Sequence, residues 1–213
     1  MVPRVMRTLF ALVAAAVVAA TMFSSDPLAY TLSGPFWNQP FTSYYVNSAN
    51  LDLPGASADA AVRAGADSWV QQSGAFRFDY AGPSNQTTTT FDSINLVVFR
   101  NASSGSAIAT TFWWSSGGRI IDADIVFWDE AFKFFAGSSG CSGGFYIEDI
   151  AAHEFGHALG LGHSALSGAT MFPSVSSCNS GNRTLDADDI AGVRALYPLQ
   201  APPLPPTGVR IVS

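Results

Sequence analysis

All three histidines of the chain lie within eleven consecutive residues, HEFGHALGLGH. His153 and His157 are four residues apart, so on a helix their imidazoles lie one above the other and can reach the same ion. Gly160 and Gly162 allow the backbone to leave the helix in a left-handed conformation, which turns His163 back towards the first two histidines. Three neutral imidazoles with one open position are the ligand set of a catalytic zinc site.

Glu154 directly follows the first histidine, which places its carboxylate beside the metal without making it a ligand. There it can take a proton from a zinc-activated water, so the segment predicts metal-assisted hydrolysis. One alternative is three histidines placed for packing or solvation, which the pattern H-E-x-x-H with a later glycine and third histidine disfavours. The other is a zinc-binding but inactive domain, which the presence of Glu154 disfavours.

The elements that must position these residues are predicted from periodicity and from turn residues. A helix over 147–159 carries the first two histidines. Ser57 can cap an earlier helix over 58–72, and Thr184 can cap a later one over 185–197. Strand-like runs occupy 42–47, 76–80, 94–100, 108–114 and 123–128. This order of strands and helices predicts an α+β fold with a mixed sheet.

Composition limits the class of protein. Of the 213 residues, 48% are hydrophobic and 12% are charged, which excludes a disordered chain. The length suits one domain of ordinary size. The net charge is −6 and Lys133 is the single lysine, so no basic stripe is available and nucleic acid is not an expected partner.

The first twenty residues have the pattern of a secretory signal peptide. Arg4 and Arg7 precede an apolar run that ends in small residues, which predicts cleavage near Ala20. An uncleaved membrane anchor is the alternative, but a run of twelve apolar residues is shorter than the ~20 residues that a span needs. We therefore expect a secreted or extracytoplasmic chain, with no stable membrane span after cleavage.

The other end of the chain is rich in proline. Residues 198–213 contain five prolines without periodicity, which predicts a stiff tail or a linker. Between the two ends, the sequence predicts a short segment over 21–29 and one folded domain over 30–197.

Three segments of the domain resemble the matrixins, the matrix metalloproteinase branch of the metzincin zinc endopeptidases. They are IAAHEFGHALGLGHS at 150–164, ATMFP at 169–173 and LDADDI at 185–190. Ser164, after the third histidine, separates this branch from the astacin, adamalysin and serralysin branches. The resemblance implies a metzincin catalytic domain, with a twisted mixed five-stranded sheet, three helices and a zinc in a cleft below the edge strand.

The resemblance also implies roles for residues of the motif. The zinc ligands would be His153, His157 and His163, and the general base would be Glu154. Met171 would be the methionine of the Met-turn, beneath the metal. An isolated methionine is most often a core residue, and only its place eight residues after the third histidine supports this role.

Further positions of the domain match features of the family. Asp188 and Asp189 resemble the paired aspartates that anchor the Met-turn and the mature amino terminus. Residues 109–112 resemble the edge strand along which an extended peptide or protein substrate binds by strand addition. The expected protein is a monomeric, secreted zinc endopeptidase. The alternative is an exported module that contains zinc and binds peptides without cutting them.

The chain departs from vertebrate-type matrixins at their second, structural zinc, which is held by three further histidines. Thr110 and Asp124 or Ile125 stand where two of these would be, so we expect one zinc only. Calcium ligands are offered by four acids in a short span, Asp122, Asp124, Asp129 and Glu130. A solvated acidic turn is the alternative interpretation of these acids.

The chain has two cysteines, Cys141 and Cys178. An oxidising compartment predicts a disulfide between them that brackets the active site, with two buried free thiols as the alternative. No cysteine precedes the domain, so latency through a propeptide cysteine is not expected. Val175 stands where many matrixins have a pocket tyrosine, and Asp149 where several have an apolar residue, so pocket preference does not transfer from the family.

The supply of histidines predicts the metal content. Elemental analysis of the folded chain should give one tightly bound zinc per molecule, because His153, His157 and His163 exhaust the imidazoles. A value of two zincs would contradict this and would indicate a second site built from carboxylates.

Overall fold

The computed structural model describes residues 28–199, so the predicted signal peptide and all but the first two residues of the proline-rich tail lie outside the described residues. Within this range no helix is both long and apolar enough to cross a membrane. The elements in chain order are β1 (Phe41–Asn47), α1 (Gly55–Ser73), β2 (Arg77–Pro83), β3 (Leu96–Arg100), β4 (Ala109–Ser116), β5 (Arg119–Trp128), β6 (Phe134–Phe135), β7 (Phe145–Tyr146), α2 (Ile147–Leu159) and α3 (Ala187–Leu196).

The main sheet has five strands in the order β2-β1-β3-β5-β4. All neighbours are parallel except β4 and β5, which form an antiparallel hairpin. The hairpin turns at Gly117 and Gly118, whose φ angles of 58° and 75° suit a tight turn of two residues. The predicted α+β architecture, with three helices and a mixed five-stranded sheet, is confirmed, and β4 lies at the edge of the sheet.

Close contact between α1 and α2 fixes the helix that carries the histidines. Gly65 lets the two helices approach, since a Cβ there would lie 2.6 Å from the Cβ of Ala151. Trp69 is fully buried, and its indole Nε1 donates a hydrogen bond of 2.9 Å to the carbonyl oxygen of Ala152. The packing of α1 therefore sets the position of α2 directly before its first histidine.

Two predicted helix caps are wrong. Helix α1 begins after Pro54, whose carbonyl accepts a hydrogen bond from the amide of Ser57, so Ser57 lies inside the first turn. Helix α3 begins after Asp186 and not after Thr184. The Asp186 carboxylate accepts a helix amide, and the Asp189 carboxylate accepts the Asp186 amide at 2.8 Å, which forms a complete capping box.

The acids considered for calcium do not form a solvated turn. Three of them are buried: Asp122, Asp124 and Asp129. The carboxylate of Asp124 accepts backbone amides from Leu96 at 2.9 Å and Thr90 at 3.0 Å, and burial raises its pKa to about 7. In residues 28–199, the three histidines are the one group of three or more metal-ligand side chains whose ligand atoms converge. The buried acids instead hold neighbouring loops.

Substitution of Gly65 by alanine tests the packing of α1 against α2. The added methyl would lie 2.7 Å from the backbone nitrogen of Ala152, so the helices must separate. We expect a loss of about 1–3 kcal/mol in the free energy of unfolding, measured by denaturant titration. The control is Gly168→Ala, because no atom lies within 4 Å of a Cβ there. Equal stability of the two variants would contradict this account.

Candidate metal centre

His153 and His157 lie on consecutive turns of α2 with their Nε2 atoms 3.1 Å apart. The Nδ1–H of His153 donates to the carbonyl oxygen of Thr170 at 2.7 Å, and the Nδ1–H of His157 donates to that of Leu161 at 2.9 Å. A carbonyl oxygen can only accept, so each Nδ1 carries the proton and each Nε2 presents a lone pair. Both rings are therefore held in the tautomer that binds a metal through Nε2.

A chain reversal after α2 brings the third histidine to the first two. Gly160 ends the helix with a φ of 106°, as the sequence predicts. Gly162 is not left-handed, which corrects the prediction. A side chain does not fit at Gly162, because a Cβ there would lie 2.3 Å from the Oγ1 atom of Thr31. The amide of Gly162 donates a hydrogen bond of 2.9 Å to the carbonyl of Thr31. One ligand atom from each histidine, including the exposed His163, lies within 4.8 Å of the others.

The three imidazoles fit a zinc ion. Nitrogens that are 2.0–2.1 Å from a tetrahedral zinc lie about 3.3 Å apart, which is close to the separation of the two helical Nε2 atoms. Burial lowers the pKa of His153 to about 4 and also lowers the pKa values of His157 and His163. The rings are thus neutral at physiological pH, and two facing lone pairs repel each other unless a cation lies between them.

Glu154 is buried next to the first histidine, with 6% of its surface exposed. Burial raises the pKa of its carboxyl group, which the nearby His157 and a hydrogen bond from Thr111 partly oppose. The Thr111 hydroxyl donates to Glu154 Oε2 at 2.6 Å. The carboxylate lines the same cleft as the histidines, but it does not belong to the group of converging ligand atoms.

Met171 is 1% exposed and lies under the histidine helix, against Gly156, where a Cβ would collide with its sulfur. The backbone of this segment is tied to α3, since the Asp189 carboxylate accepts the amides of Thr170 at 2.7 Å and Met171 at 3.0 Å. The neighbouring Asp188 accepts the amide of Tyr30 at 3.0 Å. Both aspartates thus make the kind of anchoring contacts that the resemblance implies.

A cleft of about 630 Å³ contains the histidines. Strand β4 lines one side, α2 lines the floor, and residues 172–175, including Val175, line the far side. Asp149 does not line this cleft. It is 1% exposed, and its carboxylate accepts a hydrogen bond of 2.8 Å from Nε of Arg183.

Two residues of β4 were not singled out from the sequence. Thr111 and Trp113 both line the cleft, and alternate strand residues share one face. The period of two within the predicted edge strand could have placed them together. The contact between Thr111 and Glu154 joins residues 43 positions apart, and no local pattern signals it.

Cys141 and Cys178 form a disulfide, as the sequence predicts. The amide of Cys178 also donates to the carbonyl of Gly144 at 2.9 Å. The bridge therefore joins the segment before α2 to the loop that follows the far side of the cleft.

Three imidazoles that converge beside a buried glutamate, in a cleft under an edge strand, define a metal centre of the kind that activates water. A profile of the matrixin family matches residues 36–198. The chain belongs to the matrixin family.

Curated proteins similar in sequence to this chain are matrix metalloproteinases and collagenases. Human matrix metalloproteinase-19 is 31% identical over 192 residues, which cover 84% of this chain and 34% of that protein. Human matrix metalloproteinase-20 is 27% identical over 175 residues, or 76% of this chain and 32% of that protein. Human neutrophil collagenase is 49% identical over 59 residues, 28% of this chain and 13% of that protein. The chain spans about a third or less of the length of these relatives.

Reduction of the disulfide should destabilise the domain. The bridge spans a sequence separation of 37 residues, for which loop entropy corresponds to about 3–4 kcal/mol. We expect this loss in denaturant unfolding of the reduced protein and of the Cys141→Ser, Cys178→Ser double variant. Thiol titration of the denatured, unreduced chain is the direct check: it should detect no thiols, and two reactive thiols per chain would refute the bridge.

Proposed function

We propose that this domain hydrolyses internal peptide bonds of extended peptide or protein substrates, with one zinc held by His153, His157 and His163. The observation that carries the proposal is the convergence of the three imidazoles next to a carboxylate that is not one of the ligands. Met171 is buried against Gly156 of the helix that carries two of these histidines, which suits the proposed Met-turn.

In this proposal Glu154 is the general base, which its burial in the cleft beside the histidines supports. When bound, zinc supplies Lewis-acid chemistry that activates a water molecule and polarises a carbonyl. Glu154 takes a proton from the attacking water and passes it to the leaving amine. Its raised pKa suits both steps, because a carboxyl group must first accept and then release the proton. The backbone bonds to Nδ1 of His153 and His157 keep both rings oriented while charge develops.

Strand β4 provides a surface for the substrate backbone. It lies at the edge of the sheet and lines the cleft, so an extended peptide can add to it as a further strand. The side chains of this wall and of residues 172–175 then surround the substrate residues near the cut bond.

We propose that the domain acts as an exported monomer, after removal of the first twenty residues. The charge pattern and apolar run of that segment support export. The disulfide between Cys141 and Cys178 also supports it, since such bridges persist in oxidising compartments.

Glu154→Gln tests the mechanism. The amide leaves the three imidazoles in place but removes the base, so we expect zinc content to stay the same while kcat falls roughly 10²–10⁴-fold. Cleavage of a quenched peptide library is the assay, with and without a chelator. The control is Glu130→Gln, since this exposed glutamate does not line the cleft.

Two results would contradict the proposal. Near-normal cleavage by Glu154→Gln would remove the assigned base. Absence of chelator-sensitive cleavage by the zinc-loaded parent chain would favour the module that binds peptides without cutting them.

A further inference from the structure

We infer that Thr111 is a positioning residue that fixes the orientation of the Glu154 carboxylate; this inference rests on the proposed function of Glu154. The hydroxyl oxygen of Thr111 lies 2.6 Å from Oε2 of Glu154 and 3.0 Å from the Glu154 carbonyl oxygen. A hydroxyl has one proton to donate. The shorter contact and the charged acceptor assign that proton to Oε2.

The bond distinguishes the two oxygens of the carboxylate. Oε2 accepts the Thr111 hydroxyl, and Oε1 accepts no hydrogen bond from residues 28–199. The last torsion of a glutamate is broad and nearly two-fold, so the side chain alone does not choose an orientation. The Thr111 hydroxyl removes this freedom and leaves Oε1 as the oxygen that receives the proton of the attacking water.

The position of Thr111 makes it suited to this task. A threonine in a strand has a restricted χ1, and the strand itself is held in register by pairing with Ile125 of β5. The hydroxyl is therefore presented from a rigid element that is separate from α2. The same strand lines the cleft where the substrate backbone is proposed to lie, so one element positions both the base and the substrate.

The neighbouring Thr110 shows that this is not a general property of threonines in β4. Its hydroxyl oxygen accepts a hydrogen bond of 2.9 Å from the indole Nε1 of Trp128. Thr110 makes no contact with Glu154 among the hydrogen bonds of the described chain. Because Thr110 itself lines the cleft, the control variant is taken at Thr87, an exposed threonine that does not line it.

The experiment compares Thr111→Val, Thr111→Ser and Thr87→Val. Valine keeps the shape of threonine but removes the hydroxyl, and serine keeps the hydroxyl. We expect Thr111→Val to lower kcat roughly 10-fold or more with KM changed less than about twofold, since a hydrogen bond to a charged group is lost. Thr111→Ser should keep kcat within about threefold of the parent, and Thr87→Val should leave kcat within about twofold.

Two measurements do not depend on turnover. Zinc affinity, determined by competition with a chelator, should be equal in the parent and Thr111→Val, because Thr111 does not contact the histidines through any hydrogen bond of the described chain. Crystal structures of the metal-free parent and variant should show the Glu154 carboxylate in one orientation in the parent and in a different or mixed orientation in Thr111→Val. Thermal unfolding of each variant checks that it folds.

The outcomes separate this inference from the proposed function. The role of the hydroxyl would be overturned if Thr111→Val had the kcat of the parent. It would also be overturned if Thr111→Ser lost as much kcat as Thr111→Val. If the parent chain itself cuts no peptide, the proposed function fails, and the metal-free structures alone decide whether Thr111 orients Glu154. An unchanged carboxylate in Thr111→Val would overturn the inference in that case too.

Discussion

The site depends on holding the Nε2 atoms of His153 and His157 only 3.1 Å apart. Each of these atoms presents a lone pair, so the arrangement is unfavourable without a cation between them. Consecutive turns of α2 bring the rings together, but a helix alone does not choose their tautomers or orientations. The carbonyls of Thr170 and Leu161 do so by accepting the Nδ1 protons of His153 and His157. The residues after α2 must therefore return to it, and the left-handed turn at Gly160 makes that return possible.

A pair of buried aspartates in α3 holds the returning chain in place. The Asp189 carboxylate accepts the amides of Thr170 and Met171, and it also accepts the amide of Asp186 in the capping box of α3. One carboxylate therefore stabilises the start of α3 and also positions Thr170, whose carbonyl accepts the Nδ1 proton of His153. Asp188 accepts the amide of Tyr30 from the start of the described chain. Segments that are far apart in sequence thus meet at α3, although neither aspartate lies among the converging metal-ligand atoms.

The sequence predicts the secondary structure of this domain better than its contacts between residues distant in the chain. Helix α2 has the predicted bounds of 147–159, because an uninterrupted apolar period ends at Gly160, where the backbone can turn. The fold class follows from the same patterns and from the resemblance. The sequence does not predict the hydrogen bond from Thr111 to Glu154 or the burial of Asp149 against Arg183, because each joins residues that are far apart in the chain. They depend on how strands and loops pack across the molecule, which periodicity does not encode.

Buried acids of β5 hold neighbouring loops through hydrogen bonds to backbone amides. Thr110 and Asp124 or Ile125 stand where the resemblance places ligands of a second zinc, and both Thr110 and Asp124 make hydrogen bonds within the protein. Thr110 accepts the indole of Trp128, and Asp124 accepts two amides of the chain that leads into β3. Asp122 likewise accepts the amides of residues 92 and 93 at 2.8 Å. Each buried carboxylate costs desolvation, which raises the pKa of Asp122 and Asp124, but each also satisfies backbone amides of the segment that leads into β3. Carboxylates of β5 therefore tie the central sheet to the segment that leads into β3.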